Sequence, residues 1–121
     1  MYEDRIKFIQ HKGKRIFCND YTGLSPEEAV EMLGEITKAE VKEPIGSILS
    51  CGNYTNMKFN LNVVNAFNKD TKENSKYYKA TACVGIKGLI KVMYDAVSKF
   101  TKQDMKTFES ESEALDWLAT K

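Results

Sequence analysis

The sequence predicts an α/β domain with a five-stranded, mostly parallel sheet, one antiparallel strand from an N-terminal hairpin, and four helices. Three observations lead there. Two short apolar runs open the chain around a glycine-containing turn. Beyond them, β-type runs alternate with segments of 3.6-residue apolar period. The string Ser25-Pro26-Glu27-Glu28 carries a sharp helix-start signal: a capping hydroxyl, a proline at the first helical position and an acid where a capping box needs it.

Taken in order, Arg5 to Gln10 with Ile6 and Phe8, and Arg15 to Tyr21 with Ile16, Phe17 and Cys18, make the hairpin across His11-Lys12-Gly13-Lys14. The first helix follows Ser25 through Ala29, Val30, Met32, Leu33 and Ile36, and fades before Pro44-Ile45-Gly46. Ser47 to Cys51 is a short buried strand. A second helix starts near Asn60 or Asn62, carries Val63, Val64 and Phe67, and turns polar from Asn68 to Lys76. Thr81 to Ile86 is β-branched and apolar, a central strand. Gly85 and Gly88 bracket the turn into a third helix through Leu89, Met93, Val97 and Phe100, apolar on most of its circumference. Met105 to Phe108 is the last strand, and a capped helix from Ser110 or Ser112 carries Ala114, Leu115, Trp117 and Leu118. The order β-β-α-β-α-β-α-β-α implies right-handed crossovers. With no repeat or linker inside it, the chain reads as one domain over residues 1–121.

At 121 residues, with 42% hydrophobic residues, the chain has enough apolar material for an ordinary core. Eighteen Lys and Arg against 17 Asp and Glu give a net charge of +1, so the basic excess of a dedicated nucleic-acid binder is missing. No apolar run approaches the roughly eighteen residues of a membrane span, and no leader or lipidation signal is read. The expected compartment is the cytoplasm. Cys18, Cys51 and Cys83 are an odd number without C-x-x-C spacing, which argues against disulfides and a zinc knuckle. They read as free thiols buried in strands, Cys51 being the one to test for reactivity because a glycine and a helix start follow it.

The hairpin end Asp20-Tyr21-Thr22-Gly23-Leu24, the strand Ser47-Ile48-Leu49-Ser50, the turn Cys83-Val84-Gly85-Ile86-Lys87-Gly88-Leu89 and the close Phe108-Glu109-Ser110-Glu111-Ser112-Glu113-Ala114-Leu115-Asp116-Trp117-Leu118 resemble the SpoIIAA-like family. That resemblance implies a SpoIIAA-like βα superhelix, as in the STAS domains of anti-sigma factor antagonists, with kinship to the lipid-binding CRAL-TRIO fold. Phospho-regulated antagonists place an Asp-Ser-Ser-Gly-Leu-like motif after the third strand. Here the loop reads Asn53-Tyr54-Thr55-Asn56-Met57-Lys58-Phe59-Asn60. It lacks the Ser-Gly pair, so the phosphorylation switch does not carry over; besides the phenol of Tyr54, Thr55 supplies the loop's hydroxyl.

In an open parallel sheet, ligands sit beyond the carboxyl ends of the strands. Those ends supply Asp20, Tyr21 and Thr22, then Asn53, Tyr54 and Thr55, then Gly85, Lys87 and Gly88, and Glu109 with Ser110. As a set they are the candidate ligand- or partner-binding surface. The competing reading is that these residues only cap turns and helices. Gly85-Ile86-Lys87-Gly88 also matches the G-x-x-G loop of KH domains, but a KH loop joins two helices and this one follows a strand. His11 lies among Lys12, Lys14 and Arg15 with no carboxylate beside it in sequence, and no G-x-S-x-G elbow or metal spacing is found.

The expectation is therefore a non-enzymatic STAS-like regulatory or protein-interaction module, without a cofactor or metal. It would act as a homodimer or on a protein partner, with no nucleic acid and no membrane span. An apolar surplus in the third helix, Tyr77-Tyr78, Met57 and Phe59 supplies the alternative. On that reading Leu89, Met93 and Val97 form a dimer face or line a pocket for an apolar, lipid-like small molecule. The plainer reading is that the third helix is simply central.

Overall fold

The computed structural model describes residues 2–88, 91–92, 94–95, 99 and 104–121. Strand β1 (Ile6–His11) pairs antiparallel with β2 (Lys14–Asp20). Lys12 and Gly13 both have positive φ, +50° and +83°, as a two-residue hairpin turn requires. Helix α1 (Pro26–Glu40) leads to β3 (Ile48–Asn53); α2 (Leu61–Asn74) and one 3₁₀ turn, Ser75–Tyr77, lead to β4 (Tyr78–Val84); β5 (Asp104–Phe108) precedes α3 (Glu111–Leu118). The sheet order is β1-β2-β3-β4-β5, with every pair after the hairpin parallel.

The mixed five-stranded sheet is the one the sequence predicts. The helix count differs: the described residues carry three helices rather than four. The expected third helix falls on residues 89–100, so Leu89, Met93 and Val97 lie outside the described residues, while positions 91, 92, 94 and 95 are helical. The fourth expected helix is α3.

Local chemistry sets the helix starts. Ser25 Oγ accepts from the Glu28 amide at 3.2 Å and Glu28 Oε1 accepts from the Ser25 amide at 3.0 Å, closing the capping box. Asn60 caps α2 through the Val63 amide at 3.1 Å, and Ser110 caps α3 through the Glu113 amide at 3.2 Å. The Glu40 position ends α1 shortly before Pro44, as the pre-proline restriction demands.

The sheet divides two cores. Phe17, Tyr21, Met32, Ile36, Ile48 and Val63 fill the space under α1 and α2, while Ile16, Leu49, Ala80, Ala82, Ala114 and Leu118 pack beneath α3. Consecutive right-handed crossovers along a sheet built in chain order put α1 and α2 on one face. A register shift at Ile48/Leu49 against β4 separates Tyr78 from Ala80, so Tyr78 joins Thr81 and Cys83 on the α1/α2 side. β4 starts at Tyr78, ahead of the expected Thr81, and ends at Val84, short of the expected Ile86. Of the residues counted as apolar surplus, those outside the third helix are absorbed: Met57 is buried, and Phe59, Tyr77 and Tyr78 pack against the first core.

His11 gains the carboxylate that its sequence neighbours lack. Its Nε2 lies 2.8 Å from Asp116 Oδ1 on α3, and Lys12 Nζ lies 3.0 Å from the same atom. The hydrogen bond with His11, and then that with Lys12, hold the Asp116 carboxyl below its usual range. The hairpin turn is thereby tied to the C-terminal helix.

Candidate functional site

The carboxyl ends of β2 and β3 carry the same short device. Asp20 and Asn53 are register partners, and each begins an Asx-Tyr-Thr tripeptide. Asp20 Oδ1 accepts the Thr22 amide at 3.0 Å; Asn53 Oδ1 accepts the Thr55 amide at 3.1 Å and the Thr55 hydroxyl at 2.7 Å. The two tyrosines that follow stack, with ring centroids 5.1 Å apart and planes 12° from parallel. Burial raises both hydroxyls well above the usual phenol range.

Backbone bonds carry the ladder past the strands. The Tyr21 amide donates to Asn53 O at 2.8 Å, Gly23 to Thr55 O at 2.9 Å and Tyr54 to Val84 O at 2.8 Å. Arg5 reaches over the first loop and donates through Nη1 to the carbonyls of Asp20 (3.0 Å) and Thr22 (2.9 Å). Two glycines let these loops approach. A Cβ on Gly52 would sit 2.7–2.9 Å from the Tyr54 ring and hydroxyl, and one on Gly85, where φ is +78°, would sit 2.4 Å from Thr55 Oγ1.

The residues that the sequence groups into one surface are divided among three places, with Thr22 and Gly88 lining none of them. Thr55, Gly85 and Lys87, with Asn56, Ile86, Phe108 and Glu109, line an open cleft of about 780 Å³ beyond β3, β4 and β5. Asp20 and Asn53 line a second, smaller cleft of about 180 Å³ on the α3 side, with Arg5, Lys7 and Glu111. The Tyr54 ring lies inward, beside a chamber of about 90 Å³ between the sheet and helices α1 and α2. Thr22 is half-buried above, its carbonyl held by Arg5, and Gly88 is exposed with φ of +56°. Thr55 stands in the loop well before the α2 cap, Asn60, and its hydroxyl is spent on Asn53.

The inner chamber was not legible in the sequence. Asn19 and the register partners Ser50 and Thr81 put polar side chains on an otherwise apolar sheet face, together with Tyr21, Tyr78 and Asp70. Among the described residues the Asn19 side-chain oxygen has no hydrogen-bond partner. The one hint was the polar residue in each of three apolar strand runs.

Helix N-termini differ in their electrostatics. α1 begins with Glu27 and Glu28 and α3 with Glu111 and Glu113, whereas the first turn of α2 carries no acid. Acidic first turns oppose anion capture, because the carboxylates already answer the helix dipole. Among the described residues no group of three or more His, Cys, Asp or Glu has metal-binding geometry, and no helix is long and apolar enough to cross a membrane.

The SpoIIAA-like family model matches residues 29–119, most of the chain and three of the four parallel-paired strands, β3, β4 and β5. The chain belongs to the SpoIIAA-like family. Among solved structures, the crystal structure of an uncharacterized protein of the DUF3478 family from Shewanella loihica PV-4, described as having a SpoIIAA-like fold, aligns with a TM-score of 0.75. Identity is 22%, over 93% of this chain and 91% of that one, a likeness of fold. No curated protein matches the chain.

Thr55 is the residue whose substitution tests the bracing of this loop. Thr55→Asp is expected to destabilise the loop by about 1–3 kcal/mol, because a carboxylate replaces the hydroxyl that donates to Asn53. Thr55→Ser should stay within about 0.5 kcal/mol of wild type. Urea denaturation of the three proteins checks this; equal midpoints for Asp and wild type would remove the assigned hydrogen bond.

Proposed function

We propose that this SpoIIAA-like domain is a non-enzymatic, STAS-like interaction module that docks a protein partner, or a second copy of itself, at the cleft beyond β3, β4 and β5. One observation carries the reading. The β3 loop framing the cleft is tied to its neighbours by backbone bonds, Tyr54 to Val84 O and Gly23 to Thr55 O, and braced internally by Asn53 Oδ1, so the cleft is preformed while the Thr55 hydroxyl is already consumed. A rigid concave surface without an unspent reactive group suits docking, since little conformational entropy is lost on association. Apolar Ile86 and Phe108 beside Lys87 and Glu109 supply the mixed lining of a small protein interface.

Photo-crosslinking amino acids at Asn56 and Lys87, with Gln10 on the hairpin edge as control, test the reading in cells producing the full chain. The expected result is discrete protein adducts from the two cleft positions and none from Gln10. Equal adducts from all three, or none, would overturn it.

The alternative, an apolar or lipid-like ligand, places its cavity at Leu89, Met93 and Val97. The chamber under α1 and α2, about 90 Å³ and partly polar, has room for a few waters but not for an acyl chain. Native mass spectrometry beside a denatured sample separates the readings: added mass lost on denaturation supports the carrier, and bare protein supports the module.

A further inference from the structure

Two of the three free thiols are neighbours. Cys18 on β2 and Cys51 on β3 are register partners in a parallel pair, and both face α3. Adjacent strands lie about 4.8 Å apart, which falls inside the span of about 4.4–6.8 Å between Cα atoms that a disulfide bridges. On the other side of Cys18, its register partner in β1 is Lys7. Lys7, Cys18 and Cys51 thus form one row across the sheet. The cleft of about 180 Å³ opens directly over this row, with Arg5 and Asn53 on its walls and Glu111 at the α3 end.

From this arrangement we propose that Cys18 and Cys51 are a redox-responsive dithiol, which small hydroperoxides convert to an intramolecular disulfide. The roles of the two sulfurs follow from their surroundings. Cys18 is the more exposed, 8% against 3% for Cys51, and stands next to the lysine. A hydrogen bond from the Cys51 thiol, helped by Lys7 and opposed by burial and Glu111, holds Cys18 below the usual thiol range, while the same bond and burial push Cys51 up. Cys18 is the attacking thiolate and Cys51 the thiol that resolves. Cys83, on the opposite face and buried beside Tyr54, is pushed up to about 12 by burial and takes no part.

In the first step the Cys18 thiolate attacks one peroxide oxygen. The O–O bond breaks, the departing alkoxide takes a proton from solvent and leaves as an alcohol, or as water from hydrogen peroxide, and Cys18 becomes a sulfenic acid. Cys51 sulfur then attacks Cys18 sulfur, the S–O bond breaks, and hydroxide leaves with the Cys51 proton as water. Two thiols and one hydroperoxide give one disulfide, one alcohol and one water; the dithiol loses two electrons and the peroxide gains them. The narrow cleft favours hydrogen peroxide or a small alkyl hydroperoxide over a bulky disulfide oxidant.

The test treats the full chain with hydrogen peroxide, alkylates the remaining thiols and digests with trypsin, which releases Cys18, Cys51 and Cys83 on separate peptides, 16–38, 43–58 and 80–87. The expected result is an intact chain lighter by two hydrogens, a Cys18–Cys51 linked peptide, alkylation confined to Cys83, and reversal by dithiothreitol. Cys51→Ser should stop at a Cys18 sulfenic acid captured by dimedone. Cys18→Ser should react about tenfold more slowly, and Lys7→Gln should slow Cys18 oxidation without moving the thermal midpoint. Persistence of three alkylatable thiols, a bridge through Cys83, or bridging only between chains overturns the proposal. The wild-type peptide map decides this even where a serine variant does not fold.

Discussion

Gly85→Ala is expected to destabilise the protein by about 2–5 kcal/mol and to lower its thermal midpoint by about 10 °C or more. Two costs combine at this position. The backbone sits at φ +78°, where a side chain is strained, and the new Cβ would lie 2.4 Å from Thr55 Oγ1 and 2.8 Å from the Thr55 amide nitrogen. The second contact is with backbone, which no rotamer change relieves. Gly13 separates the two terms: its φ is +83° but nothing lies within 4 Å of its Cβ position, so Gly13→Ala should cost only about 1–2 kcal/mol. Chemical denaturation of both variants measures the difference. Equal losses would mean that the β4 loop does not press on the Thr55 loop and that the cleft is not preformed as described.

This close approach is the kind of fact a single sequence conceals. Short-range signals were legible: the Ser25 capping box, the Lys12-Gly13 turn and the apolar strand runs each specify their conformation from a few neighbours, and together they yield the mixed sheet. What depended on register was not. Asp20 and Asn53 read as two members of a strand-end set, not as direct partners, until β2 and β3 are aligned. Only then do two Asx-Tyr-Thr tripeptides become a stacked pair, and Cys18 and Cys51 become one dithiol. His11 and Asp116 meet across almost the whole chain, beyond any local pattern. The candidate surface was read as one set because every strand end was treated alike. In fact the pleat sends successive residues to opposite faces, so Tyr54 turns inward, Asn53 borders the α3-side cleft and Thr55 the outer one.

Glu40 shows the opposite case, a signal present in the pattern and easily passed over. It continues the stripe Ala29, Met32, Leu33, Ile36 at helical spacing, where an aliphatic residue is expected, and it is fully buried. Tyr78 donates its hydroxyl to Glu40 Oε2 across the bulge. On α2, Asp70 accepts from Thr37 Oγ1 at 3.1 Å and from Asn74 Nδ2 at 2.8 Å, and its carboxylate neighbours the carboxyl of Glu40. Glu40 Oε1 has no donor among the described residues. A buried oxygen left in this way is less costly on a neutral carboxyl than on an anion, and the nearby Asp70 carboxylate favours the same neutral form. Burial, reinforced by Asp70, raises the Glu40 carboxyl from 4.5 to about 9.

The consequence for stability has a definite sign. Below pH 4.5 the carboxyl is protonated whether the chain is folded or not, and its burial as a neutral group is least costly. Between pH 4.5 and 9 the unfolded chain releases the proton while the folded chain retains it, so stability falls as pH rises, by at most about 1.4 kcal/mol per unit, and levels off above 9. Glu40→Gln keeps an acceptor for Tyr78 and an N–H for Asp70 without the ionisable proton. At pH 8 this variant is expected to be about 2–4 kcal/mol more stable than wild type, and at pH 4.5 nearly equal to it. Urea unfolding from pH 4.5 to 9 reads both curves. Parallel curves would show that Glu40 is ionised in the folded protein, and the α1–α2–β4 junction would then rest on a charged pair instead of a neutral Glu40 carboxyl.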